Sequence, residues 1–204
     1  MLFRSVQTEK DRDFLRLMAD SERFGHLSLF AMESIRSERR EAQFAGLGID
    51  TGDGHIFIAF RGTDLSLVGW KESFNMSFLQ KIPSQELARD YVEKVARLRR
   101  GRIRLGGHSK GGNLAAYAAA YASGPVKKRI VSIWNNDGPG FHEDLLKEKA
   151  FESIKSRFYS FLPQSSIIGM LLEHNETFAI IRSSQTGILQ HDPYSWQIIG
   201  PRFQ

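Results

Sequence analysis

With 204 residues, 41% of them hydrophobic and 25% charged, the chain fits one globular domain over 1–204 that can bury a core without staples. It has no cysteine, which excludes disulfides, thiolate metal sites and a cysteine nucleophile. The net charge of +5 would suit an anionic partner, but Arg97, Arg99, Arg100 and Arg102, and then Lys127, Lys128 and Arg129, fall where helices are expected to end, so no nucleic-acid partner is expected.

Thr8-Glu9-Lys10-Asp11 has the form of a capping box ahead of Phe14, Leu15, Leu17 and Met18, which predicts an amphipathic helix to about Phe24, stopped by Gly25. This charged start lacks an apolar signal core, and no apolar run reaches the roughly 18 residues of a membrane span. A cytoplasmic protein without a transmembrane segment is expected. Two β-rich runs, 44–49 and 55–60, flank Asp50-Thr51-Gly52-Asp53-Gly54 and predict an antiparallel hairpin. Phe74, Met76 and Phe78 alternate with Asn75 and Ser77, which reads as a β-edge in preference to an apolar lid.

A helix is predicted from Ser84, after Pro83, to near Gly101, with Leu87, Tyr91, Val95 and Leu98 on one face. A short strand over 103–106 follows, then Gly111-Gly112-Asn113 opening an alanine-rich helix over 114–122. Strands over 129–134, 157–161 and 177–181 and a helix over 144–154 complete the pattern. Such alternation predicts an α/β fold: a mainly parallel sheet flanked by helices, the hairpin as its antiparallel edge at the N-terminal side, and ligands at the carboxyl ends of the strands.

The chemistry concentrates in Gly107-His108-Ser109-Lys110-Gly111, which matches the G-x-S-x-G nucleophile elbow. The pattern alone is weak, but a β-run before it and a small-residue helix after it are the context an elbow requires. Attack by Ser109 on a carbonyl creates an oxyanion, which the backbone N–H of Lys110 can hold because that residue opens the helix. The Lys110 side chain reads as incidental. The second donor is expected from Arg61-Gly62-Thr63-Asp64, where both the N–H and the hydroxyl of Thr63 can face the charge.

Six histidines compete for the base: His26, His55, His108, His142, His174 and His191. The fold's order of serine, acid, histidine selects His191, beyond the last strand, with His174 as the alternative base. His108, in an extended segment next to the nucleophile, is expected to point away from it. Asp137, in Asn135-Asn136-Asp137-Gly138-Pro139-Gly140, closes the strand after the nucleophile helix and is the candidate acid, with Glu173 and Asp192 behind it.

Phe57-Ile58-Ala59-Phe60-Arg61-Gly62-Thr63 together with Gly107-His108-Ser109-Lys110-Gly111-Gly112-Asn113-Leu114-Ala115 resembles the class-three lipase-like branch of the α/β-hydrolases. The likeness is greatest to an uncharacterised bacterial group in that branch, which shares stretches like Gly69-Trp70-Lys71-Glu72, Asn136-Asp137-Gly138-Pro139-Gly140-Phe141 and Gln190-His191-Asp192-Pro193. The resemblance implies a serine hydrolase of carboxylic esters or lipids, working through Ser109, His191 and an acid, with oxyanion donors at Thr63 and Lys110 and no metal or cofactor.

It departs at two places. Lipases of this class keep their acid one strand later, where this chain has Phe161-Leu162-Pro163-Gln164-Ser165-Ser166 and no carboxylate, so Asp137 must take the role. Members of the group also carry more sequence ahead of the region matching Phe14, so the first strands of the sheet are expected to be missing. Two other readings stay open: a hydrolase-fold binding or regulatory module without turnover, and a thioesterase or acyltransferase with the same residues.

Overall fold

The computed structural model describes residues 8–64 and 66–204, leaving the Thr8 side chain and the expected capping box outside the described residues. Seven strands lie side by side in chain order: β1 (Ser28–Ser37), β2 (Ala42–Asp50), β3 (His55–Phe60), β4 (Arg102–His108), β5 (Ile130–Asn136), β6 (Phe158–Pro163) and β7 (Thr177–Ile181). β2 runs antiparallel to both β1 and β3, and β3 to β7 run parallel. Along β3, Ile56, Ile58 and Phe60 are buried while their neighbours are half-buried, the two-residue period that fixes which face meets the core.

Among the described residues, seven α-helices accompany the sheet: α1 (Thr8–Asp20), α2 (Leu67–Asn75), α3 (Pro83–Leu98), α4 (Lys110–Tyr121), α5 (Gly124–Arg129), α6 (Glu143–Leu146) and α7 (Lys149–Glu152). Helices α3 and α4 pack on each other and on the sheet, enclosing Phe44, Ile58, Tyr91, Val95, Leu105, Leu114, Tyr117 and Ile133 in one core. Each such side chain contributes about 1.5–3 kcal/mol on burial. On the sheet's other face Trp134 stacks on Tyr159 and Phe161. The short strands β8 (Ile198–Ile199) and β9 (Arg202–Phe203) bring Phe203 to 5.0 Å from the Phe161 ring. The basic clusters do end helices: Arg129 donates to the carbonyls of Ala96, Arg99 and Gly101, and Lys127 to that of Ala120.

Four expectations are corrected. The hairpin is not the edge, because β1 covers it; a bulge between Phe30 and Glu33, with Ala31 at φ 51°, breaks the alternation that would have announced that strand. The first helix ends at Asp20, and residues up to Gly25 form turns in which Ser21 Oγ accepts from the Phe24 N–H. The stretch over 74–78 is the end of α2 followed by turns, not a β-edge: Ser66 caps α2 by accepting the Gly69 N–H at 3.1 Å, and Phe74 and Phe78, four apart, bring their rings to 5.0 Å.

The helix expected over 144–154 is two single turns. One helix would spread Leu145, Leu146, Phe151 and Ile154 over roughly 240° of its surface at about 100° per residue. The break at extended Glu148 lets all four be buried, and Glu148 accepts from the Tyr121 hydroxyl at 2.7 Å.

Candidate active site

The parallel register sets Phe60 opposite Gly107 and His108 opposite Asn136, so the carboxyl ends of β3, β4 and β5 meet at one place. Between β4 and α4 the chain turns at Ser109, whose φ of 59° and ψ of −136° lie where a non-glycine residue is strained. Its N–H donates to the Asn136 carbonyl at 2.9 Å, and its carbonyl accepts from Gly112 at 2.9 Å. Glycine at 107 is required, since a Cβ there would stand 2.5 Å from the Phe60 carbonyl oxygen. These contacts make the elbow a strained serine at the head of a helix whose first N–H groups have no intrahelical partner.

The loop after β3 lies directly against this turn. A Cβ on Gly62 would meet the His108 carbonyl oxygen at 2.8 Å and the Ser109 Cβ at 3.1 Å, so only glycine lets the two backbones approach. The next residue is Thr63, whose Oγ1 pairs with Ser73 Oγ at 2.5 Å. Lys110 is not incidental: its ammonium is buried against Glu72 at 2.7 Å and also donates to the Gln43 carbonyl and side chain. Burial pushes the lysine below its ordinary value, and the Glu72 carboxylate opposes that.

Asp137 and His191 come together. Asp137, fully buried at φ 51°, follows β5, and its Oδ2 is 2.7 Å from His191 Nδ1, leaving Nε2 as the ring's second nitrogen. The acid is held by the Ser166 hydroxyl, which donates to Oδ1, and Ser166 Oγ in turn accepts the Gly169 N–H at 2.8 Å. His191 closes a short 3-10 turn (Gly187–His191), and the ring of His108 lies 4.4 Å from its ring while His108 Nε2 donates to its carbonyl at 2.7 Å. Burial first, and the neighbouring His191 second, hold His108 down to about 4, so it stays a neutral donor.

The alternative base stands elsewhere. His174 Nδ1 pairs with Glu176 Oε1 at 2.7 Å, and Ser160 Oγ donates to the same oxygen. Burial lowers the His174 value, but the Glu176 hydrogen bond and charge outweigh it and set the ring above its ordinary range. Of the fallback acids, the backbone of Glu173 bridges to Phe141, and Asp192 accepts the Tyr194 N–H at 3.1 Å. Sequence reasoning missed Gln43, Glu72, His108 and Ser166 as neighbours of the site. Glu72 and Ser166 stood in stretches singled out by resemblance, whereas Gln43, just ahead of the β-run over 44–49, carried no signal.

This fold, with its elbow at the carboxyl end of β4, is that of the lipase-like α/β-hydrolases. The Lip2 lipase of Yarrowia lipolytica superposes with a TM-score of 0.55 at 11% identity over 86% of this chain and 80% of that one. A structure described as a fungal lipase gives 0.55 at 16% identity over 79% and 67%. A fungal lipase in an inhibitor complex gives 0.51 at 13% identity, covering 70% of this chain, which spans only 59% of that lipase. At such identities the likeness is one of fold. The chain belongs to the Mbeg1-like family, which its residues 18–204 match. No curated protein matches it. Among the described residues no helix is long and apolar enough to cross a membrane.

Proposed function

We propose that this protein is a serine hydrolase of carboxylic esters. The observation that carries the reading is the 2.7 Å contact between Asp137 and His191 Nδ1 beside a strained serine elbow. With Asp137 accepting from Nδ1–H, the His191 Nε2 lone pair takes the Ser109 proton as Oγ attacks the ester carbonyl. The oxyanion is held by the backbone N–H groups of Thr63 and Lys110. Where Ser73 donates to Thr63 Oγ1, the Thr63 hydroxyl proton is also available to it. On collapse the leaving alkoxide takes the proton from the His191 imidazolium and departs as the alcohol, and water activated by the same imidazole releases the acid and restores Ser109. No step calls for a metal or organic cofactor, and the substrate is a small-molecule or lipid ester.

The test is labelling by a fluorophosphonate together with hydrolysis of short p-nitrophenyl esters. The wild-type protein is expected to label at Ser109 and turn over, and Ser109→Ala to lose the label and about 10³-fold or more of the rate. An inert wild-type protein would leave the fold as a binding or regulatory module.

A further inference from the structure

The two backbone donors proposed for the oxyanion are joined beneath the site by one buried polar cluster. Lys110 Nζ donates to the Gln43 carbonyl at 2.8 Å, to Gln43 Oε1 at 2.9 Å and to Glu72 Oε2 at 2.7 Å. Glu72 also accepts the Gln43 N–H and the Ser84 N–H, each at 2.9 Å. Gln43 and Glu72 are fully buried and Lys110 is 2% exposed. The Gln43 amide then reaches the loop after β3 on both sides of Thr63: Oε1 accepts the Asp64 N–H at 3.2 Å, and Nε2 donates to the Gly62 carbonyl at 3.4 Å.

Neutralising a buried lysine would need only Glu72, and such a pair adds little net stability over apolar side chains of the same volume. The glutamine does something else. Its carboxamide engages the peptide groups immediately before and after Thr63, which sets the plane of the backbone carrying the Thr63 N–H. The same oxygen is bonded to the side chain of Lys110, whose own N–H is the other donor. An oxyanion donor works only when it is already aimed at the place where charge develops.

We propose that Gln43, anchored by Lys110 and Glu72, is a positioning residue that sets the Thr63 N–H toward the oxyanion. The proposal rests on the esterase reading, and Gln43 touches no reacting atom itself. Its specific signature is the preference for an ordinary ester over the matching thionoester, because the larger sulfur accepts poorly from donors placed for oxygen. Wild-type protein and Gln43→Met are compared on both esters, with circular dichroism as the check on folding.

The expected result is a loss of about tenfold or more in kcat with KM changed by less than about twofold, and a smaller oxo-to-thiono preference. A folded Gln43→Met with kcat and preference both within about twofold of wild type overturns the positioning role while leaving the esterase reading intact. A wild-type protein inert to ester and fluorophosphonate overturns both. If Gln43→Met does not fold, Gln43→Glu takes its place, keeping the acceptor for Asp64 and Lys110 but losing the donor to Gly62. It is expected to lose about threefold in kcat with the same narrowing of preference, and no change in either overturns the proposal.

Discussion

His191 can serve as a base in only one tautomer, with its proton on Nδ1, and Asp137 accepting there selects that tautomer. The arrangement works only if the carboxylate is itself held. One Asp137 oxygen faces His191 and the other takes the Ser166 hydroxyl, so the buried acid is paired on both sides. Ser166 stands in the loop after β6, where the resemblance places the acid in related lipases; here that loop supplies the acid's partner instead. Ser166→Ala would leave one carboxylate oxygen short of a donor and let the Asp137–His191 pair drift. The expected outcome is a loss of about tenfold in kcat with little change in KM, read from steady-state ester hydrolysis, in a protein that remains folded. The Asp137–His191 contact and the turn at Ser109 lie where chain order and strand ends, both properties of sequence, placed them. Gln43 and His108 were not, because a hydrogen bond across 67 or 83 residues leaves no local pattern.

Among the elements, the proposed base His191 stands on a 3-10 turn and not on a strand, and His108 at the end of β4 is one of the contacts that tie that turn to the sheet, beside Asp137. Sequence reasoning excluded His108 as a base but could not see that its ring packs on His191 and becomes a strut for that loop. The strut has a pH signature. Folding lowers the His108 value from 6.5 to about 4, so between those values the unfolded chain binds a proton that the native chain does not. Stability from this residue is therefore fully present above 6.5 and lost as pH falls toward 4. His108→Gln, which keeps a donor for the His191 carbonyl and removes the titration, is expected to flatten the acid limb of stability. Urea midpoints measured from pH 4 to 7 for both proteins check this. Strands were otherwise read best where they were regular, as with β3 and β7, and lost at β1, whose bulge erases the period. The split of α6 from α7 was invisible because it is decided by which side of the pair faces the core.

Across the whole molecule, one helix links the site to the fold. Every residue of α4 from Lys110 to Ala120 is buried, because the helix runs between the sheet and α3 with no solvent face. That explains its run of alanines: a helix hydrophobic all round belongs in an interior, and small side chains let the sheet and α3 close on it. The same helix begins at the elbow, so its axis fixes where the Lys110 N–H points, and any displacement of α4 reaches the site. Adding volume in its middle tests this coupling. Ala118 is fully buried in the core, so a branched side chain there adds volume to a closed interior. Ala118→Leu is expected to lower stability by about 1–3 kcal/mol, seen as a reduced urea midpoint at unchanged slope. Because the strain is relieved by moving the helix against the sheet, kcat is expected to fall with it, even though residue 118 stands more than two helical turns beyond Ser109, at about 3.6 residues per turn. A stability loss with kcat unchanged would show that α4 yields locally and that the elbow is held by its own contacts to Phe60 and Asn136.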